Sequence, residues 1–366
     1  MKLTGIIIKK IRDEGPVSFR DFMQLALYHP KHGYYTSPGV KTGLAGDYYT
    51  SPETTTLFGE MIGKQIEEMW QILGKNPFTI VEYGAGNGKL CYDLLQYLKK
   101  NNALYQNLRY CIIEISPWMV RMEKKLLHEK VTWLNNIDES EKIAGCIISN
   151  EVVDNFPVHQ VVMEKELKEV YVDYDDGFLE VFKPALPILK NYLEELKVTL
   201  PYKFRTEINL QALTWLKEIS KKLKRGFILT IDYGYRSEAL YSDERSQGTL
   251  VCYSKHDVHD DPYVAIGKQD ITSHVNFSAL MYFGLRHGIQ LCGYSNQAHF
   301  LQALGMVGYI RKLENNNTIK QRTGKNLNAI LTLLADMGQQ LKVLIQSKGI
   351  RGRARLRGMQ FSLEKV

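Results

Sequence analysis

The chain has 366 residues, 44% of them hydrophobic, and a formal net charge of +7. That is enough apolar material for one large core or two moderate ones, and no apolar run is long enough to cross a bilayer, which excludes a helical membrane protein. Much of the basic excess lies in Arg351, Arg353, Arg355 and Arg357, where no aromatic residues interleave; this reads as a solvated loop or a contact for an acidic protein, not a nucleic-acid site.

At the N-terminus, Ile6-Ile7-Ile8 is too short for a signal peptide, and the surrounding residues lack the Arg- and Ser-rich make-up of a transit sequence, so a soluble protein of the cytoplasm is expected. Tyr28-His29-Pro30-Lys31-His32-Gly33-Tyr34-Tyr35 reads as a turn flanked by tyrosines. Gly46-Asp47-Tyr48-Tyr49-Thr50-Ser51-Pro52-Glu53 reads as a helix start, with Thr50 or Ser51 as N-cap and Pro52 in the first turn. Leu57, Phe58, Met61, Ile62, Ile66, Met69 and Trp70 then recur at helical spacing and predict a buried helix face.

Val81-Glu82-Tyr83-Gly84-Ala85-Gly86-Asn87-Gly88 is an apolar strand running into three glycines, followed by a helical segment from Lys89 to Lys100. Glycines at 84, 86 and 88 strip the turn of side chains, so an adenosine-bearing ligand can approach the backbone. The spacing is G-x-G-x-G, with Lys89 where a dinucleotide loop has its third glycine, and Glu82 precedes it. An acid there repels a diphosphate but suits a cofactor carrying an amino group and a sulfonium, which makes S-adenosylmethionine the natural candidate and a nicotinamide oxidoreductase the weaker one. Tyr110 to Ile115 is a second strand run; Glu114 near its end is placed to accept hydrogen bonds from ribose hydroxyls, with Ser116-Pro117 opening a helix.

Val131–Leu134, Gly145–Ser149 and Phe227–Asp232 continue the alternation of strands with amphipathic segments, which specifies an α/β fold built on a mainly parallel sheet. Beyond Ser149 comes a dense polar set, Asn150, Glu151, Asp154 and His159, where a methyl acceptor would sit if the first strand holds the donor. Two carboxylates suit a guanidinium, because they pair with it and localise its charge away from the reacting nitrogen. The bland alternative is that Asn150 and Asp154 only cap the next turn. His159 to Phe182 alternates across Asp175-Asp176-Gly177 and predicts an inserted β-hairpin, part of a substrate lid. Segments near Ile289–Cys292 and Met359–Leu363 are candidates for the last two strands. The five cysteines, Cys91, Cys111, Cys146, Cys252 and Cys292, lack C-x-x-C spacing and read as reduced core thiols, with no metal site.

In their order these segments resemble the MidA-like class I methyltransferases, which include the mitochondrial arginine methyltransferase that assists complex I assembly. The resemblance runs through Tyr28-His29-Pro30, Gly33-Tyr34-Tyr35, Gly46 to Glu53, Phe58-Gly59-Glu60, the Glu82 glycine loop and Asn150-Glu151-x-x-Asp154-Asn155-Phe156-Pro157-Val158-His159. It continues in Asp232-Tyr233-Gly234, Asp270-Ile271-Thr272-x-His274-Val275-Asn276-Phe277 and Met359-Gln360-Phe361. It implies a Rossmann-like sheet of seven strands with an antiparallel last strand, an N-terminal helical extension over 1–75, and a methyltransferase domain over 76–366 with insertions near 155–205 and 235–285. The cofactor implied is S-adenosylmethionine, bound by Glu82, Gly84, Ala85, Gly86, Gly88, Glu114, Ile115, Tyr49, Thr50, Ser51 and Asn150. Glu151, Asp154, Asn150 and Asp47 are the implied catalytic set, and a protein arginine, as in a respiratory complex I subunit, is the implied acceptor. Where the mitochondrial member has proline and arginine, this chain has Ala85 and Asn87, a difference that leaves every glycine in place. A non-catalytic assembly chaperone retaining the cofactor fold is the alternative outside enzymology.

Overall fold

The structure is a computed structural model that describes residues 2–39, 41, 46–47, 50–255, 257–309, 320–352 and 354–363, with the backbone alone over 320–326. It divides into two compact units: Met1–Tyr48, Val153–Leu216 and Gly234–Phe283 in the first, and Tyr49–Val152, Lys217–Tyr233 and Gly284–Val366 in the second. Residues 49–75, which the sequence groups with the N-terminal extension, fall in the second unit.

The second unit carries the central sheet. Its strands are β1 (Phe78–Tyr83), β2 (Leu108–Ile113), β3 (Val131–Leu134), β4 (Ile143–Asn150), β5 (Leu223–Tyr235), β6 (Gln290–Asn296) and β7 (Leu341–Lys348). Their order is β6-β7-β5-β4-β1-β2-β3, with β7 antiparallel to both neighbours. Ile80, Cys146, Ile148, Leu229 and Ile231 are fully buried, as strands of a parallel sheet covered on both faces must be. The helix Thr56–Ile72 covers one face with Phe58, Met61, Ile62, Ile66 and Met69, in the same core as Leu90, Leu94 and Leu98. Gly59 and Gly63 permit its close approach to the helix Lys89–Leu98: a Cβ on Gly63 would stand 2.3 Å from Tyr97 Cδ1.

The chain's last strand is thus Leu341–Lys348, not Met359–Leu363. The apolar run Val343-Leu344-Ile345 fills the interior position between β5 and β6, whereas residues 357–359 make one turn of 3₁₀ helix. Met359 is buried there because its side chain packs over Gly293, where even a Cβ would come within 2.7 Å of it.

Strand order reverses between β1 and β4, which are hydrogen-bonded neighbours with Tyr83 opposite Ser149. In an open α/β sheet the crevice at such a reversal, beyond the carboxyl ends of the strands, is where ligands bind. Two segments begin there: the glycine loop after Tyr83 and the polar set after Ser149.

The first unit has an antiparallel sheet ordered Val17–Ser18, Leu167–Tyr174, His159–Met163 and Arg205–Ile208, with Phe178–Pro184 also pairing to Leu167–Tyr174. The latter pair is a hairpin turning at Asp175–Gly177, where Asp175 N donates to Gly177 O at 3.0 Å. Helices Leu3–Glu14 and Phe19–Tyr28 bury Ile7, Ile11, Phe19, Phe22 and Met23 in one cluster with Val170 and Val172. A three-stranded sheet of Val251–Ser254, Asp257–His259 and Asp270–Thr272 also belongs to this unit, as does the short strand Val275–Asn276, which pairs in parallel with Gly234–Tyr235 at the end of β5 and brings that sheet to eight strands where seven are expected.

Candidate active site

All three loop glycines lie in the left-handed region, with φ of +61°, +58° and +81° at Gly84, Gly86 and Gly88. Their surroundings differ. A Cβ on Gly84 would meet Val152 Cγ2 at 3.1 Å and one on Gly88 would meet Leu127 Cδ1 at 3.3 Å, whereas one on Gly86 would meet nothing within 4 Å among the described residues. Gly86 therefore borders open space, and a ligand there can touch its backbone. The loop is tied down at Asn87, whose Oδ1 accepts from Lys89 N at 3.0 Å and whose Nδ2 donates to Glu53 Oε1 at 2.8 Å. Glu53 also caps its own short helix, its Oε2 accepting from Thr50 N at 3.3 Å.

Three carboxyls lie beneath and beside the loop. Glu82 is 2% exposed and accepts from Tyr110 Oη at 2.7 Å; burial lifts its pKa to about 7 against that hydrogen bond, and the charge of Glu114 adds to the lift. Glu114, past the end of β2, is also raised by burial to about 7, although its Oε1 accepts from Ser116 N at 2.7 Å. Ile115 beside it is 52% exposed, an apolar side chain left facing outward. Glu123 is fully buried on the helix Pro117–Leu126, accepts from Trp133 Nε1 at 2.5 Å, and is pushed by burial and then by Glu114 to about 8.

This arrangement has a consequence for stability. Glu82 in the fold holds its proton up to about pH 7, while in an unfolded chain it releases it near 4.5, so between those values the folded state binds more protons and stability falls as pH rises. For this fully enclosed group the cost at pH 8 is on the order of 3 kcal/mol. Urea unfolding from pH 5 to 8 is expected to show that decline, to which Glu114, Glu123 and Glu151 add in the same direction, and Glu82→Gln, which keeps an acceptor for Tyr110, is expected to make it shallower. An unchanged slope in the variant would show that Glu82 is not among the groups responsible.

At the neighbouring strand end, Glu151 occupies the left-handed region at φ +54°, with its N–H donating to Ile231 O at 2.8 Å. A non-glycine residue held there is strained. Its Oε1 accepts from both Ser51 N and Asn150 Nδ2 at 3.1 Å. Burial, with Asp232 adding to it, raises this carboxyl to about 8. Asp232, fully buried at the end of β5, accepts from Val152 N at 3.2 Å and Tyr233 N at 2.9 Å, so it fixes the backbone on which Glu151 stands. Ser51 is fixed in turn by its hydroxyl, which donates to Gln297 Oε1 at 3.0 Å. Asn150 Oδ1 is buried and meets no donor among the described residues.

The second unit thus gathers Glu82, Gly84, Ala85, Gly86, Gly88, Glu114, Ile115, Thr50, Ser51, Asn150 and Glu151, on segments at or next to the carboxyl ends of β1, β2 and β4. Tyr49 lies outside the described residues. Asp47 and Asp154 belong to the first unit. There Asp47 accepts from Tyr34 Oη at 2.7 Å and from Lys255 N at 2.6 Å, while Asp154 is 4% exposed with its carbonyl accepting from Ser273 N at 2.9 Å. His159 is engaged by buried Glu169, Nδ1 to Oε1 at 2.7 Å, inside the antiparallel sheet. Asn87, Glu53, Tyr110 and Glu123 are not among the site residues that the sequence leads one to expect. For Glu123 a signal existed: an acid four residues after buried Met119 stands on the apolar face of its helix.

Residues 61–295 match a family described as S-adenosyl-L-methionine-dependent methyltransferases. A protein from Burkholderia thailandensis crystallised with S-adenosyl-homocysteine is 29% identical with a TM-score of 0.90, covering 98% of this chain and 95% of that one. Among curated proteins, the chain is 26% identical to the Drosophila melanogaster homolog of protein arginine methyltransferase NDUFAF7, over 93% of this chain and 84% of that protein. It is 25% identical to human NDUFAF7, over 75% of this chain and 67% of that one. Both are named mitochondrial proteins, which corrects the expectation of a cytoplasmic location. The cofactor these comparisons indicate, S-adenosylmethionine, fits the residues present: open space borders Gly86, and the buried Asn150 Oδ1 is an acceptor awaiting a donor such as the cofactor's ammonium. The chain belongs to the MidA-like family of S-adenosylmethionine-dependent methyltransferases.

Proposed function

We propose that the chain transfers a methyl group to the guanidinium nitrogen of an arginine in a protein acceptor. The observation that carries this reading is the Glu151 carboxyl, held by Ser51 and Asn150 at the end of β4, next to the glycine loop at the end of β1. The cofactor supplies, when bound, a methyl group on a sulfonium and would depart as the neutral thioether S-adenosylhomocysteine, while the nitrogen that gains the methyl group gives up one proton, to the Glu151 carboxylate and from there to water. Glu151 pairs with the guanidinium N–H groups, draws positive charge toward its own side, and leaves the reacting nitrogen richer in electrons. Above its raised pKa it is anionic in the free protein; an arriving cation stabilises that anionic form and brings the pKa back down.

For the cofactor, Glu114 is assigned to the ribose hydroxyls, Ile115 to the adenine face, and Gly84 to Gly88 to the adenosine and methionine backbone. Glu82 supports from below through Tyr110. Ser51, Thr50 and Asp232 are positioning residues for Glu151 and Asn87. Asp154 and Asp47, carried by the first unit with its hairpin, are assigned to recognition of the acceptor protein. The relatives' names support a protein arginine as acceptor and a mitochondrial setting, and a respiratory complex I subunit is the first acceptor to try.

The test uses a panel of purified complex I subunits and arginine-bearing peptides with S-adenosylmethionine labelled in its methyl group. Label recovered as methylarginine after hydrolysis is the expected result. Label recovered on lysine, glutamine or a small molecule would replace this acceptor with another.

A further inference from the structure

The glycine loop and the Glu151 carboxyl are joined by the short helix Ser51–Thr54, and all three lie in the second unit. Four residues are too few to hold a helix by backbone bonds alone, so its place is set by tethers to its neighbours. Toward the loop, Glu53 Oε1 accepts from Asn87 Nδ2 at 2.8 Å, and Glu53 Oε2 accepts from Thr50 N at 3.3 Å. Asn87 is itself fixed, its Oδ1 accepting from Lys89 N at 3.0 Å, and it stands between Gly86 and Gly88 with their left-handed backbones. Toward the strand ends, Ser51 N donates to Glu151 Oε1 at 3.1 Å and Ser51 Oγ donates to Gln297 Oε1 at 3.0 Å, with Ser51 and Gln297 fully buried.

The two ends of this helix differ in kind. Ser51 is seated in the interior, whereas the Glu53–Asn87 bond lies near the surface and one of its partners belongs to the loop. A ligand resting on the Gly86 backbone restricts Asn87, the next residue, and that ordering spreads to whatever Asn87 holds. Asn87 holds Glu53, and Glu53 holds the helix whose Ser51 N–H reaches Glu151. The carboxyl's other bond comes from Asn150 Nδ2, its own neighbour in the chain, which moves with it. Ser51 is thus the partner that ties the carboxyl to something outside its own strand end.

We infer that Asn87 and Glu53 are positioning residues for Glu151, acting through Ser51, so that the loop that holds the methyl donor also steadies the carboxyl that receives the acceptor. The role of Glu151 toward an arginine rests on the reading above; the coupling from the loop to Ser51 does not.

Exchange of the Ser51 amide hydrogen, followed by NMR on the full chain with and without saturating S-adenosylhomocysteine, tests the coupling without any turnover. In the wild type the ligand is expected to slow that exchange at least about fivefold. Asn87→Asp keeps the oxygen that accepts from Lys89 N but turns the donor facing Glu53 into a second carboxylate oxygen, and is expected to cut the slowing to less than about twofold. Adding Glu53→Gln to that variant restores the pair with its roles reversed, the new amide nitrogen donating to position 87 and the amide oxygen accepting from Thr50 N, and is expected to bring the slowing back. Thermal unfolding of each protein reports that the fold is intact. No slowing in the wild type, or slowing of equal size in Asn87→Asp, overturns the coupling. So does a loss in Asn87→Asp, of the exchange response or of S-adenosylhomocysteine binding, that Glu53→Gln does not restore. The expected exchange pattern with no methyl transfer to arginine peptides keeps the coupling and removes the arginine reading. Methylation of arginine peptides at the same kcat in wild type and Asn87→Asp keeps that reading and removes the positioning role.

Discussion

Glu151→Gln is expected to lower methyl transfer about 100-fold or more, the usual range for losing a carboxylate that handles charge or a proton at the reacting atom. Affinity for S-adenosylhomocysteine should stay within about twofold, because the change removes charge from the acceptor side and not from the loop. The structure makes this a clean substitution. Glutamine keeps an oxygen that can accept from Ser51 N and Asn150 Nδ2, so the short helix at Ser51–Thr54 has no reason to move. It also keeps the backbone bond to Ile231 O that fixes the left-handed turn. Glu151 of the free protein is raised to about 8, so kcat/KM of the wild type should climb as pH rises through that value while the carboxyl becomes anionic. That limb should be absent from the variant. Wild-type rates in Glu151→Gln would remove the carboxylate from the mechanism.

Gly86→Val is expected to weaken S-adenosylhomocysteine binding about 100-fold or more while the protein still folds. Two terms separate cleanly at this position. The backbone term is the strain of a branched residue at φ +58°, about 1–2 kcal/mol, which a core of this size tolerates. The steric term falls on the ligand, because the new side chain enters space that none of the described residues beyond its chain neighbours occupies within 4 Å of the Cβ. Gly84 offers the contrast: its Cβ would press on Val152 Cγ2 at 3.1 Å, so Gly84→Ala should cost stability through packing as well as affinity. Calorimetry with S-adenosylhomocysteine, alongside thermal unfolding of each variant, distinguishes these effects. Unaltered binding by Gly86→Val would place the cofactor elsewhere.

Much of this arrangement is legible in the chain because the local signals agree with the fold. Buried parallel strands leave unbroken apolar runs, so β3 spans the expected Val131–Leu134 and β4 exceeds Gly145–Ser149 by two residues at its start and one at its end, whereas β5 runs from Leu223 to Tyr235, well past Phe227–Asp232 at both ends; the reversal between β1 and β4 puts the glycine loop and Asn150-Glu151 side by side. The last strand was misplaced for a physical reason. Lys342, Gln346 and Lys348 punctuate Leu341–Lys348 with polar groups, while Met359 and Phe361 resemble strand residues but follow Gly358, which meets Phe300 and Gln65 in a tight turn. Side-chain partnerships at long range left no trace in periodicity. Nothing in the sequence pairs Ser51 with Glu151, Asn87 with Glu53, or Tyr110 with Glu82. Tyr35 with Asp270 is of the same kind, a bond between residues 235 positions apart.

The most direct test of the central claim is amino-acid analysis of the acceptor after incubation with methyl-labelled S-adenosylmethionine, run in parallel with the wild type and Glu151→Gln. Methylarginine that forms with the wild type and falls by about two orders of magnitude in the variant is the expected result. Label on any other residue, or equal methylarginine from both proteins, would contradict the assignment of Glu151 as the group that receives an arginine acceptor.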